Sequence, residues 1–184
     1  MQLSARRLTD RDQGLCRGFA CGRELYELEV ATWIRADLWR VLPEYHGKEI
    51  VTTVLQDLDQ NGRLVGFCSW SFIDAEGATE LDSPVQISLA YFGVHDDYQG
   101  KPDGDGILCA DRLLKTVLAD ASRSDPDSGR LPVVLLCSEA NRNGLRFWER
   151  HGFEIIEPEI AGTPIEGHHR MVLGGAAETP GDET

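Results

Sequence analysis

Residues 133 to 153 constrain the fold more than any other stretch of the chain. They read Val-Val-Leu-Leu-Cys-Ser-Glu-Ala-Asn-Arg-Asn-Gly-Leu-Arg-Phe-Trp-Glu-Arg-His-Gly-Phe. The β-branched apolar run before Ser138, bounded by Pro132, predicts a strand covered on both faces. A polar turn follows, in which Asn141 or Asn143 can cap a short helix. Gly152 can take the left-handed conformation that ends that helix, and Phe153 then opens another strand. A strand buried on both faces needs a helical layer on each side, which already implies a layered fold.

The remaining elements fit such a layering. Gln2 to Leu8 reads as a first strand, and Thr9-Asp10 offers capping oxygens for a piece broken by Gly14, Gly18 and Gly22. From Arg23 to Leu42, Leu25, Leu28, Ala31, Ile34, Leu38 and Val41 recur at helical spacing, and Pro43 is expected to close the segment. Glu49 to Leu58 and Arg63 to Ile73 read as strands joined through Asp59-Gln60-Asn61-Gly62, where Asn-Gly is a hairpin signal. Asp74 to Pro84 is an acidic loop, and Val85 to Val94 a fourth strand. Gly106 to Ala121 predicts a helix with Ala110, Leu113, Leu114, Val117, Leu118 and Ala121 on one stripe. Ser122 to Gly129 is a solvated loop. Phe153 to Ile156 and His168 to Leu173 complete the sheet. The order predicts an α+β domain over residues 1–173, with one mixed sheet flanked by helices and an acidic, unstructured tail at 174–184.

Composition narrows the function classes. The chain has 184 residues, with 18 Lys and Arg against 31 Asp and Glu, a formal charge of −13. That length suits one domain with a continuous core. Such a surface repels phosphate backbones and anionic lipid, and Arg6-Arg7 is too short to make a basic patch, so no nucleic-acid or membrane partner is expected. No apolar run approaches the roughly 20 residues of a membrane span, and no signal-like run opens the chain. Cys16, Cys21, Cys68, Cys109 and Cys137 are odd in number and lie mostly in apolar contexts, which suits reduced, buried thiols in a cytoplasmic protein. No CxxC or His-Cys spacing points to a metal. His168 and His169 alternate faces on a strand and cannot share one.

Between the fourth strand and the long helix runs Val94-His95-Asp96-Asp97-Tyr98-Gln99-Gly100-Lys101-Pro102-Asp103-Gly104-Asp105-Gly106. A glycine-rich turn leading into a helix N-terminus presents backbone N–H groups and the positive dipole end, which suits a diphosphate. Together with the later Asn-x-x-Gly-x-x-Phe-Trp-Glu-Arg-x-Gly-Phe segment, the loop resembles the GNAT superfamily, whose members use acyl-coenzyme A to acylate amines. The family's loop reads Arg/Gln-x-x-Gly-x-Gly/Ala. Here Gln99 supplies the first position and Gly104 and Gly106 the paired glycines, with two residues inserted. The resemblance spans Leu64 to Phe153 and extends loosely over the whole chain. Phe19-x-Cys21-Gly22, with Trp33-Ile34 downstream, also resembles toxin-like members.

The resemblance implies a GNAT-like, mainly antiparallel sheet of about seven strands, splayed between the fourth and fifth where acetyl-CoA would lie as co-substrate. Backbone groups of Phe92 and Val94 would bind its pantetheine arm like an added strand. Amides from Gly100 to Ile107, among them Lys101, Gly104, Asp105 and Gly106, would hold the diphosphate with Gln99 or Lys101 assisting. Asn141 would bind the arm from the other side, and Trp148 would pack the cleft wall. Two departures stand out. Asp103 and Asp105 put carboxylates where an anion is to bind, a repulsion of roughly 1 kcal/mol even in well-screened water. Trp148 occupies the place of a tyrosine that protonates the departing thiolate, and an indole N–H is no acid.

Direct transfer to an amine needs oxyanion donors and a base, often acting through water. Glu80 and Asp82 before the fourth strand and Glu139 after the fifth are the acidic candidates. Tyr91 and Tyr98 are the substitutes for the acid, Tyr98 equally a loop anchor. Cys137 as an acyl nucleophile would need a partner to lower its pKa, and His151 lies at the far end of a helix, so a structural role is expected. The bulk charge suits a cationic primary amine, a small molecule or a peptide side chain. The alternatives are a silent GNAT-like domain that binds a ligand or partner, and a toxin-like member acting on charged tRNA. A homodimer is compatible with all three.

Overall fold

A computed structural model describes residues 1–45, 50–73, 86–124, 131–156 and 167–174. Its seven strands are β1 (Leu3–Arg7), β2 (Val51–Asp57), β3 (Arg63–Ile73), β4 (Gln86–Val94), β5 (Val133–Ser138), β6 (Glu154–Ile155) and β7 (His168–Leu173). They form one sheet in the order β1-β2-β3-β4-β5-β7-β6. Every pairing is antiparallel except β4 with β5. The helices are α1 (Gln13–Cys16), α2 (Leu25–Thr32), α3 (Leu38–Tyr45), α4 (Cys109–Ser124) and α5 (Arg142–Arg150). None of the described helices is long and apolar enough to cross a membrane.

Strand alternation divides the core into two layers. Neighbours Val54 and Leu55 on β2, or Leu64 and Val65 on β3, bury into opposite clusters, as the period of two requires. One face carries α4 through Leu113, Val117 and Ala121, together with Trp148 of α5. The other carries Phe19, Ala31, Ile34 and Leu38 from the N-terminal helices. The amphipathic stripe expected along 106–121 is thus real, but α4 starts at Cys109 and runs on to Ser124, past the expected loop start at Ser122. In this last turn Ser122 and Ser124 donate their hydroxyls to the Leu118 and Asp120 carbonyls, four residues back, so both serines are accommodated within the helix.

Between α2 and α3 the helix widens at Trp33–Asp37, where the Leu38 N–H reaches back to the Trp33 carbonyl. This extra residue per turn frees carbonyl groups. Trp39 Nε1 takes up that of Ile34 at 2.8 Å, and Arg35 Nε that of Ala31 at 3.0 Å. Pro43 does not end the helix, which continues to Tyr45. A proline in the last turn lacks only the N–H that would have met the carbonyl four residues back.

The other local expectations fare well. Asn61 and Gly62 both take positive φ, 55° and 74°, at the β2–β3 turn. Gly152 ends α5 with φ 83°. All five cysteines are free and buried, and burial pushes the Cys16 and Cys21 thiols up to about 12.

Two predictions follow from this packing. A β-carbon at Gly93 would sit 2.8 Å from Val30 Cγ1 of α2 and 3.2–3.3 Å from the Phe67 and Phe19 rings. Gly93→Ala is therefore expected to destabilise the domain by roughly 1–3 kcal/mol, as overpacked cores do, measured as a lower urea midpoint with unchanged slope. Asp12 ties the β1–α1 corner through bonds from Arg6 at 2.7 Å and from the Thr9 N–H at 2.7 Å. The Arg6 guanidinium outweighs burial and lowers the Asp12 carboxyl to about 2. A depressed folded pKa contributes stability that is complete above the unfolded value near 4 and is lost as pH falls toward 2. Asp12→Asn should cost about 1 kcal/mol at neutral pH after solvent screening, and the gap from the parent should close below about pH 3 in acid denaturation.

Candidate active site

The strands β4 and β5 pair at only three positions, Ile87↔Val133, Ser88↔Val134 and Leu89↔Leu135. On its other edge β4 stays paired with β3 to Val94, but the register shifts: Ser69 faces Tyr91 while Trp70 faces Leu89. Ala90 is the extra, exposed residue of this bulge, and a bulge bends its strand. The two strands part just where it lies.

The phase of the ladder decides which main-chain groups enter the gap. The His95 N–H donates to the Val65 carbonyl at 2.8 Å, which makes Gly66 and Val94 a non-bonded pair. Alternation along the antiparallel ladder then gives Gly93 to Phe67 and turns the N–H and C=O of Phe92 and Val94 toward β5. The Val94 carbonyl accepts from Gln99 Nε2 at 3.1 Å. The same amide donates to the Cys21 carbonyl at 2.8 Å, so the Gln99 side chain is a tether between the loop and the N-terminal layer, not a free phosphate donor.

The loop from Gln99 to Leu108 closes on itself. The Asp103 N–H donates to the Ile107 carbonyl at 2.8 Å and the Cys109 N–H to the Lys101 carbonyl at 3.0 Å, around a bridge between Pro102 and Leu108. Inside this hairpin the Asp103 carboxylate accepts from the N–H groups of Asp105 at 2.9 Å and Ile107 at 3.0 Å. Arg112 Nε donates to its second oxygen at 2.6 Å, and Arg112 Nη2 to Asp105 at 2.6 Å. The Asp103 side chain is 3% exposed, and Arg112 together with the two amides holds its carboxyl below the usual range. Lys101 donates its N–H to Tyr98, Gly104 to Met1 and Gly106 to Asp103.

Of the amides from Gly100 to Ile107, then, only that of Gly100 (φ 68°) has no acceptor among the described residues. Three further ones, those of Leu108, Ala110 and Asp111 at the start of α4, are in the same state. The unpaired donors thus lie mostly beyond Ile107, later in the chain than the loop pattern predicts. The reason is local. Asp103-Gly104-Asp105 is an Asx-turn sequence, whose side chain bonds the main chain two residues on, and the inserted residues are consumed by their own carboxylate.

The other wall is aromatic. Phe92 lies 5.0 Å from Trp148 and 5.5 Å from Phe147, ring centre to ring centre, and Trp148 lies 5.1 Å from Phe153. Trp148 is 6% exposed. Asn141 caps α5 by accepting from the Gly144 N–H at 2.8 Å. At the far end of α5, Arg150 and His151 reach Asp111 of α4 at 2.6 and 3.4 Å. Cys137 is buried at the end of β5, and burial pushes its thiol up to about 11, which leaves it almost wholly protonated at neutral pH.

Among the candidate proton carriers, Glu139 is exposed at the β5–α5 turn, its N–H held by the Gly167 carbonyl. Glu80 and Asp82 lie outside the described residues. Tyr98 is the loop anchor: its hydroxyl donates to Asp57 at 3.1 Å and the ring is buried, so it does not reach the gap as an acid. Tyr91 stacks on Trp33 with ring centres 4.4 Å apart and planes 11° from parallel. Trp33 Nε1 in turn donates to Ser69 Oγ at 2.8 Å, and Ser69 bonds Thr52. Burial, then Glu29 and Asp37, raise the Tyr91 phenol.

One further phenol carries no signal in the sequence. Tyr26, the second residue of α2, is half-buried on the helix that packs against β4, and burial, then Glu27 and Glu24, raise its pKa.

No family model and no curated protein matches the sequence. The fold does match solved structures. The PaiA N-acetyltransferase from Thermoplasma acidophilum, in complex with coenzyme A, is 15% identical with a TM-score of 0.60, covering 94% of this chain and 98% of that one. A mutant AtaT toxin bound to the C-terminus of the antitoxin AtaR and acetyl-CoA is 16% identical with a TM-score of 0.59, covering 94% and 93%. The KacTA–DNA complex is 19% identical with a TM-score of 0.62, covering 94% and 92%. At such identities the likeness is one of architecture. The splayed seven-stranded sheet of this chain has the same fold as these structures.

Proposed function

We propose that this chain is an acetyl-CoA-dependent N-acetyltransferase that acylates a primary amine by direct attack in a ternary complex. One observation carries the reading: main-chain groups of Phe92 and the Val94 N–H face a gap in the sheet, and the helix that follows in the chain opens with unpaired amides. Buried or half-buried polar groups of this kind call for a partner, and their two types fit the two parts of one ligand. An amide-rich pantetheine arm pairs with a strand edge. A diphosphate suits the dipole end of a sixteen-residue helix.

In this reading Phe92 and Val94 align the arm, and Gly100, Leu108, Ala110 and Asp111 donate to the diphosphate, with Lys101 as a nearby cation. Phe92, Phe147 and Trp148 keep water from one side of the gap. Acetyl-CoA, when bound, supplies the acyl group as an activated thioester. The amine must lose a proton before it attacks, and Glu139 is the described carboxylate placed at the gap's end. With Tyr98 bonded to Asp57 and Tyr91 stacked on Trp33, Tyr26 on α2 is the phenol we assign to hold the proton that the departing thiolate needs, the role Trp148 cannot fill. The cationic amine as acceptor rests on the formal charge of −13. A chain resembling toxins whose structures include antitoxin or DNA makes charged tRNA the competing acceptor class.

Calorimetric titration with acetyl-CoA tests the first step, and thiol release in an amine screen the second. Binding and turnover with a polyamine or a lysine peptide are the expected results. No heat and no thermal shift at millimolar cofactor would leave a silent domain, and thiol release with aminoacyl-tRNA alone would overturn the acceptor class. In the active protein, Tyr26→Phe should lower kcat by roughly a hundredfold, the scale of one acid–base group, with cofactor affinity unchanged. A variant as fast as the parent would remove Tyr26 from the mechanism.

A further inference from the structure

The insertion between Lys101 and Leu108 carries a complete anion site with the anion already in it. Two N–H groups, those of Asp105 and Ile107, converge on Asp103 Oδ1, and Arg112 covers Oδ2. The arrangement matches the donor sets that hold phosphate oxygens in backbone nests, yet the occupant comes from within the same turn. Two roles are open to a group so placed. It could compete with a diphosphate for these donors, or it could fix the loop so that a separate set of donors stays in position.

The hydrogen bonds favour the second. Asp103 also uses its main chain, donating to the Ile107 carbonyl and accepting from the Gly106 N–H at 3.2 Å. The same small hairpin sets the Lys101 carbonyl on the Cys109 N–H, the first residue of α4. A diphosphate entering in place of the carboxylate would have to open all of this and strip Arg112 of its main partner. The amides of Gly100, Leu108, Ala110 and Asp111 flank the hairpin instead and need no opening.

We infer that Asp103 is a positioning residue, an internal counter-anion that closes the inserted hairpin and holds the Gly100 and α4 N-terminal amides ready for the cofactor's diphosphate. The inference rests on the transferase reading above and goes beyond it by separating the carboxylate that shapes the site from the amides that bind. Its energetic basis is preorganisation: a loop already ordered does not charge its ordering entropy to the ligand.

Asp103→Ala and Asp103→Asn test it, with coenzyme A and pantetheine as paired ligands in calorimetry and amide exchange by NMR on the unliganded proteins. The parent should protect the Asp105 and Ile107 amides from exchange, and Asp103→Ala should lose that protection while the thermal transition stays cooperative. Asp103→Ala should weaken coenzyme A binding by at least about tenfold, the scale of one residue's backbone ordered on binding, and leave pantetheine affinity unchanged. Asp103→Asn keeps the Oδ1 acceptor for both amides and should fall between the two. Coenzyme A binding that is unchanged or tighter in Asp103→Ala overturns the inference, the tighter case making Asp103 a competitor. Equal losses for both ligands overturn it as well, since they would mark general damage. A parent protein that takes up neither ligand sinks the transferase reading and this inference with it, an outcome told apart because it appears before any substitution.

Discussion

The site exists because a parallel strand pair stops after three residues. Main-chain polar groups inside a sheet normally find partners across the ladder, and β4 would offer β5 a full edge if the two ran on together. The extra residue at Ala90 prevents this. It bends β4 while its β3 ladder continues to Val94, so one edge stays fixed as the other opens. Rigidity on the closed side comes from Gly93, which lets Val30 of α2 and the rings of Phe19 and Phe67 approach the strand without an intervening β-carbon. The Phe92 groups facing the gap are therefore held in place without a strand partner, while the Val94 carbonyl is taken by Gln99.

Where β4 ends, the chain must turn into α4 without spending the helix's N-terminal donors. The inserted residues accomplish this by looking after themselves. Asp103 and Arg112 neutralise each other, and the turn amides bond to the carboxylate they enclose. Asp103, read as repulsive in the sequence, is thereby neutralised, buried against Arg112. Asp105 leans on the same guanidinium but stays exposed, so of the repulsion expected from two free carboxylates, roughly 1 kcal/mol each in well-screened water, only the share of Asp105 remains.

What could be read from the sequence, and what could not, follows the range of the interactions involved. The strand–turn–helix–glycine unit at 133–153 is set by neighbours within a few residues, and its cap at Asn141 and stop at Gly152 stand where the local chemistry puts them. The α4 stripe and the Asn61-Gly62 turn are of the same kind. The inward-facing edge at Phe92 and Val94 was readable only through the family resemblance, because ladder phase depends on a partner strand some 25 residues earlier. The Ala90 bulge leaves no local mark, since alanine is common in strands and the shift is relative to Ser69 and Trp70. The loop is the instructive intermediate. Asp103-Gly104-Asp105 announces a self-bonded turn, but a pattern anchored on glycines alone does not tell which amides that turn occupies.

The formal charge of −13 also misdescribes the region that matters. Charge acts through distance and solvent exposure, and beyond about 10 Å it is largely screened. Around the start of α4 three acidic groups meet two arginines: Asp103 and Asp105 share Arg112, and Asp111 pairs with Arg150 with His151 beside it. Lys101 adds a positive charge close to the Gly100 amide, and the α4 dipole adds its partial charge in the same sense. An anionic ligand arriving there meets a locally neutral to positive patch on an acidic protein. On the opposite side of the sheet, Tyr91 lies near Glu29 and Asp37, but Asp37 is itself paired with Arg40, so what sets the two sides of the gap apart is the helix dipole and Lys101 at the start of α4.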